Sequence, residues 1–180
     1  MNIPELVSTR ERYALLSELL YSQNGAIGIR DLARRAGTSP AQAHKYVTIL
    51  ENNGLVKNRR LEDTAAVRSI RELLNLKKLE EAKITGIIRK TMPGTTGIGV
   101  FGSWATGTNT PDSDLDLWVK APAPAPEAQT AAAKNTIEKR LKTKVDLLTV
   151  SPEMQSGLRL KGEAFYYSLY HGKVLWGEGF

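Results

Sequence analysis

Apolar residues recur at helical spacing through the first third of the chain. Leu6, Tyr13, Leu16, Leu19 and Leu20 predict an amphipathic helix over roughly Val7 to Ser22, with Asn24-Gly25 as its stop. Ile29, Leu32, Ala33 and Ala36 predict a short second helix closed by Gly37. Thr38-Ser39-Pro40 restarts the chain. Ser39 is suited to the N-cap and Pro40 to the first helical position. Ala43, Val47 and Leu50 form the buried stripe of a third helix that runs to about Asn53. After Gly54, Leu55 to Leu61 reads as a strand entering a basic turn.

Residues 62–69 leave two readings open, a second strand over Ala65 to Ser69 or the start of a helix. From Ile70 onward, Leu73, Leu74, Leu76 and Leu79, then Ile84, Ile87 and Ile88, predict helix up to the turn at Met92-Pro93-Gly94. A break near Asn75 would make two helices of it. No Gly/Ser-rich linker divides the chain, and the boundary is expected near residue 72, giving domains 1–72 and 73–180. Beyond it the period changes to two. Ile98 to Phe101 is a buried strand, and Asp114-Leu-Asp-Leu-Trp-Val119 and Lys144-Val-Asp-Leu-Leu-Thr-Val150 are two more. Alternating Pro over Ala121 to Glu127 favours an extended connector or a loop over the site. Ala128 to Lys142 reads as helix, and Leu158, Phe165, Tyr166 and Leu169 as a final helix. The fold class expected is α+β, with helical units preceding a small mixed sheet flanked by helices.

Composition narrows the chemistry. The 180 residues contain no cysteine, which excludes disulfides, thiolate metal sites and cysteine nucleophiles. The two histidines, His44 and His171, are too far apart in sequence for a histidine-rich zinc site; His44 is expected on the surface or partly buried. No apolar run approaches the roughly 18 residues that span a bilayer, and the N-terminus lacks the basic start and apolar core of a signal peptide. A cytoplasmic protein without membrane association is the expectation. Net charge is +6. Residues 1–72 hold 11 Lys/Arg against 8 Asp/Glu and residues 73–180 hold 14 against 11, so each part carries +3. That excess permits nucleic-acid or nucleotide binding without demanding it.

The stretch Asp31-Leu-Ala-Arg-Arg-Ala-Gly-Thr-Ser-Pro, followed by Leu50-Glu-Asn-Asn-Gly-Leu-Val56, resembles the winged helix-turn-helix of many prokaryotic regulators over about residues 7–64. The resemblance implies a third helix lying in the DNA major groove, presenting Ser39, Gln42, Lys45 and Tyr46, with Arg59 and Arg60 on the wing. A structural or dimerising role is the other reading of such a module, and a homodimer is the expected assembly.

Asp114 and Asp116 stand two apart on a predicted strand, so they share one face. Two carboxylates there repel unless a cation lies between them, and Mg²⁺ prefers such oxygen donors. Asp146, alone in an apolar strand, would join them if that strand pairs alongside, and a sheet-edge surface residue is the alternative. Gly102-Ser103, then Ser113-Asp114-Leu-Asp-Leu117, then Asp146, resemble the DNA polymerase β-like nucleotidyltransferases, in particular their minimal members. The likeness runs over about residues 76–178 and includes the closing Tyr170-His-Gly-Lys-Val-Leu-Trp176. It implies a two-metal transfer, with Mg²⁺ or Mn²⁺ on Asp114, Asp116 and Asp146. A nucleoside triphosphate, ATP by expectation, would be held at Gly102, Ser103, Thr106 and Ser113. Minimal members are often antitoxins that modify a toxin protein, which makes such a toxin the expected partner. Relatives often carry Arg where this chain has Thr106, and Lys120 is the candidate to replace it. The alternative is a DNA-binding regulator whose second domain senses nucleotide or mediates assembly without catalysis. Trp104, Trp118 and Trp176 are expected in the core or site wall, not as base-stacking platforms.

Overall fold

A computed structural model of the chain describes residues 6–22, 28–123, 125–161 and 164–180. The expected stop at Asn24-Gly25, the residues Met1 to Glu5 and Pro124 of the alternating run lie outside them. The chain divides into two compact units, Met1–Arg71 and Glu72–Phe180.

The first unit packs three helices, α1 (Arg10–Leu20), α2 (Ile29–Ala36) and α3 (Pro40–Asn52), ahead of a hairpin of β1 (Val56–Lys57) and β2 (Arg60–Leu61). Helix α1 starts three residues later than its apolar pattern predicts. Thr9 is extended, and its hydroxyl accepts a hydrogen bond from the Arg12 N–H at 3.2 Å, which fixes the N-cap there. Gly37 ends α2 with φ +67°, and Ser39 caps α3 by accepting from the Gln42 N–H at 3.2 Å. Leu15, Leu16, Leu32, Leu50 and Leu55 are 2% exposed or less. Each contributes about 1.5–3 kcal/mol by leaving water. The hairpin is tighter than a strand running into a turn. Lys57 pairs with Arg60 across Asn58 and Arg59, both left-handed at φ 51° and 60°, as a type I′ turn requires.

Helix α4 (Ala65–Glu81) settles the two readings of residues 62–69 as helix from Ala65. It runs straight through Asn75. The break falls instead at Lys83, which is left-handed at φ 53° before α5 (Ile84–Thr91). Helical spacing continues across Lys83, so the pattern could not place the break.

The second unit is built on a four-stranded sheet of order β5-β4-β3-β6, with β3 (Gly97–Phe101), β4 (Leu115–Lys120), β5 (Val145–Val150) and β6 (Lys173–Gly177). β3 is antiparallel to β4 and β6, whereas β4 and β5 are parallel, joined by α7 (Glu127–Leu141). One sheet face carries Ile98, Val100, Leu115, Leu117, Val119 and Val145, packed against Ile84, Ile88, Ala133 and Ile137 of α5 and α7. The other carries Phe101, Trp118 and Val150 beneath Leu158 and Leu169. Those two come from α8 (Pro152–Lys161) and α9 (Ala164–Tyr170), the helical spans on either side of residues 162–163. Trp118 lies directly over Gly99 of β3, and a Cβ at Gly99 would stand 2.2 Å from its ring. Trp104 and Trp118 are core residues at 3% and 1% exposure, and the Arg89 guanidinium sits 4.2 Å from the Trp176 ring centroid. Among the described residues no helix is long and apolar enough to cross a membrane.

Candidate functional site

The site lies at the end of the sheet where β3 turns into the five-residue helix α6 (Gly102–Thr106). Phe101 is the last residue of β3 and pairs with Asp116 on β4. Because β4 and β5 run parallel, Asp116 pairs on its other side with Asp146. The two carboxylates are thus direct cross-strand neighbours, and Asp114 follows at even spacing, one residue before β4 begins at Leu115. Asp114 and Asp146 are exposed, and Asp116 is half-buried.

Burial pushes the Asp116 carboxyl above the ordinary carboxylate range, and the negative charges of Asp146 and Asp114 push it further in the same direction. A cation placed among these three charges would act in the opposite direction. The carboxylates do not yet close on one point. Among the described residues no group of three or more His, Asp or Glu side chains is arranged to hold a metal. Donor type and charge therefore fit a divalent ion, and joint ligation requires the side chains to rotate.

Gly102 is needed here twice over. Its φ is +65°, and a Cβ would meet the Asp116 carboxylate Oδ2 at 2.3 Å. The backbone at the start of α6 therefore lies directly against the carboxylate. Ser103 beside it is half-buried, and among the described residues its hydroxyl has no hydrogen-bond partner.

The other residues expected to hold nucleotide are turned elsewhere. The Thr106 hydroxyl donates back to the Gly102 and Ser103 carbonyls at 3.2 and 3.3 Å and lies 2.9 Å from the Thr108 hydroxyl. Ser113 accepts from the Thr110 N–H at 2.9 Å, closing the loop before Asp114. Lys120 does not replace the arginine. It pairs with Gly97 at the opposite end of the sheet, and its ammonium is held by Glu178 at 3.1 Å and the Gly179 carbonyl at 3.2 Å.

In the first unit, Gln42, His44, Lys45, Arg59 and Arg60 are exposed on α3 and the hairpin. Ser39 is exposed, but its hydroxyl is the α3 cap. Tyr46 is a correction. It is 2% exposed, and its hydroxyl donates to the Leu6 carbonyl at 2.7 Å, so it faces the core and not a groove. The resemblance put it on the outer face, and the residue whose carbonyl it meets, Leu6, is forty residues away in sequence.

Sequence reasoning did not single out Asn75 and Asn109. Both are buried, at 0% and 3% exposure, and they bond each other beside α6. The one signal was a polar residue within the apolar run of α4.

Residues 81–171 match the family of nucleotidyltransferase domains, and residues 16–60 match the IclR helix-turn-helix domain. No curated protein matches the chain. Among solved structures, a toxin–antitoxin crystal structure with AMP-PNP is similar at 26% identity, covering 56% of this chain and 75% of that one, with a TM-score of 0.43. The complex of a tri-AMPylated Shewanella oneidensis HEPN toxin with its MNT antitoxin is 21% identical over 59% of this chain and 73% of that one, with a TM-score of 0.41. The sheet, its order of elements and the match over half the chain lead to one assignment: the protein belongs to the nucleotidyltransferase domain family and carries an IclR-type helix-turn-helix ahead of that domain.

Proposed function

We propose that the second unit transfers a nucleoside monophosphate, AMP from ATP, to an acceptor hydroxyl, with Mg²⁺ or Mn²⁺ held by Asp114, Asp116 and Asp146. The observation that carries this reading is the register of Asp116 with Asp146, beside a Gly102 whose backbone leaves no room for a Cβ. Like-charged side chains placed as direct neighbours are unfavourable in a sheet without a compensating ion.

The chain's own residues divide the work. Gly102 brings backbone against the carboxylates, where Ser103 can hold the phosphate tail. Asp114, Asp116 and Asp146 would hold the ion, with Asp114 and Asp116 toward the triphosphate and Asp146 toward the acceptor. The hydroxyl oxygen forms a bond to the α-phosphorus as the bond to the β-phosphate oxygen breaks, pyrophosphate leaves, and the hydroxyl proton passes to Asp146 or water. When bound, such an ion would supply positive charge for the developing negative charge on the reacting oxygens. The acceptor proposed is a hydroxyl on a toxin protein. The first unit is proposed to bind DNA through Gln42 and Lys45 of α3 with Arg59 and Arg60 of the hairpin, as a homodimer in the cytoplasm.

A second reading has one observation in its favour. The Thr106 hydroxyl, at the position where by resemblance relatives often carry arginine, is spent on its own helix. On that reading the domain binds nucleotide without transferring it, as part of a DNA-binding regulator. Incubation with α-labelled ATP, GTP, CTP or UTP and Mg²⁺ or Mn²⁺ separates the two, with the neighbouring gene product as acceptor. Label transferred by wild type and not by Asp114→Asn/Asp116→Asn supports the enzyme. Nucleotide binding with no transfer supports the regulator.

A further inference from the structure

The carbonyls of a helix as short as α6 mostly lack partners within the helix itself. In this structure the first three find donors from outside the backbone ladder or beyond the helix end. The Gly102 carbonyl accepts from the Thr106 hydroxyl, and the Ser103 carbonyl accepts from the Thr108 N–H at 3.0 Å. The Trp104 carbonyl accepts from the Asn75 side-chain amide at 2.9 Å, a donor supplied by a different helix, α4. The same amide donates to Asn109 Oδ1 at 2.8 Å, and Asn109 Nδ2 returns a longer bond of 3.5 Å to Asn75 Oδ1. One turn further along α4, the Lys78 ammonium lies 5.3 Å from the Trp104 ring centroid. Asn75 and Lys78 are three apart and share a helix face, so α4 grips α6 at two points.

Asn109 sits in the loop between α6 and β4, between Gly102-Ser103 on one side and Asp114 and Asp116 on the other. We infer that Asn75 and Asn109 are positioning residues for nucleotide transfer. Asn75 holds the phosphate-binding turn, and Asn109 sets the carboxylate-bearing loop against it. The inference rests on the nucleotidyltransferase reading above. An apolar pair would fill the same space, but it would leave the Trp104 carbonyl buried without a donor. A fully buried polar pair is retained at a desolvation cost and makes geometry specific in return.

The two residues have separable effects. Without Asn75, both α6 and the loop lose their partner, so nucleotide binding and turnover both suffer. Without Asn109, α6 is still held, so turnover falls while nucleotide binding is largely kept.

The test compares wild type, Asn75→Ala, Asn109→Ala and, as a control for lost stability alone, Ile137→Val in the core beneath the sheet. Affinity for α,β-methylene ATP with Mg²⁺ is read by tryptophan fluorescence. KM and kcat are measured with labelled ATP and normalised to the folded fraction from circular dichroism. Asn75→Ala is expected to weaken analogue binding and raise KM by about tenfold. Asn109→Ala is expected to lower kcat by about tenfold while KM changes less than about threefold. Ile137→Val is expected to lower the Tm and leave affinity and KM unchanged. Wild-type analogue affinity in Asn75→Ala, or an equal loss of affinity in Ile137→Val, would overturn the inference. A wild type that binds the analogue but transfers no label removes the enzyme reading, and the binding comparison still decides whether Asn75 positions α6. A wild type that does neither overturns both.

Discussion

Replacing Gly102 with alanine tests the contact on which the site is built. The substitution places a β-carbon at φ +65°, which costs a residue with a side chain about 1–2 kcal/mol. The new Cβ would stand 2.3 Å from Asp116 Oδ2 and 3.2 Å from its Cγ, so the carboxylate must move by about 1 Å to restore an ordinary contact. Rotating that short side chain away from its rotamer adds about 0.5–1.5 kcal/mol. The sum, about 1.5–3.5 kcal/mol, lowers the melting temperature of a unit this size by on the order of 10 °C. All three tryptophans lie in the second unit, so their fluorescence reports its unfolding selectively. The functional loss is larger, because displacing a reacting group by about 1 Å costs roughly 10²-fold in rate. Repeating Gly102→Ala in an Asp116→Ala background isolates the clash. Only the backbone cost should remain there, leaving a coupling of about 1 kcal/mol between the two positions. A Gly102→Ala protein that melts within about 1 °C of wild type refutes this account. So does an equal cost in both backgrounds.

Three further outcomes follow from the same geometry. Asp116 binds its proton more tightly in the folded protein than an ordinary carboxyl does, so stability falls as pH rises from the ordinary carboxylate range through the folded pKa. With chelator present, Asp116→Asn should therefore melt above wild type at pH 7. The gap should close below the ordinary carboxylate range and reverse when Mg²⁺ is added, and a gap independent of pH would remove the charge argument. Thr106→Arg should tighten nucleotide binding by about tenfold or more, since a charged donor at that helix contributes about 1.5–3 kcal/mol, and calorimetry with the methylene analogue measures it. For the first unit, Lys45→Ala, Arg59→Ala and Arg60→Ala should each weaken DNA binding and reduce the salt slope by about one. Tyr46→Phe should destabilise the fold by about 1 kcal/mol with an unchanged salt slope, and a reduced slope for Tyr46→Phe would put its hydroxyl back at the phosphates.

Much of the architecture was legible because its signals are local. Ser39-Pro40 announces the start of α3, Gly37 the end of α2, and the polar–apolar alternation of 114–119 a strand. Other boundaries depended on groups that periodicity does not register. Thr9 moved the start of α1, and Lys83 took the break expected near Asn75 because helical spacing continues across a single left-handed residue.

The sequence by itself determined which groups are available: three aspartates at strand positions, a Gly-Ser turn ahead of two of them, no thiol, and a helix-turn-helix pattern in front. What only the tertiary structure decided is which of them meet. The parallel pairing of β4 with β5 brings Asp146 to Asp116 across thirty residues, and register is a property of two strands that neither contains alone. Chain folding also buried Tyr46 against Leu6, tied Lys120 to Glu178 away from the carboxylates, and joined Asn75 to Asn109 beneath α6. Each is a contact between residues far apart along the chain. Its energy depends on burial and distance that no local pattern carries, so these residue types could be read in advance and their partners could not.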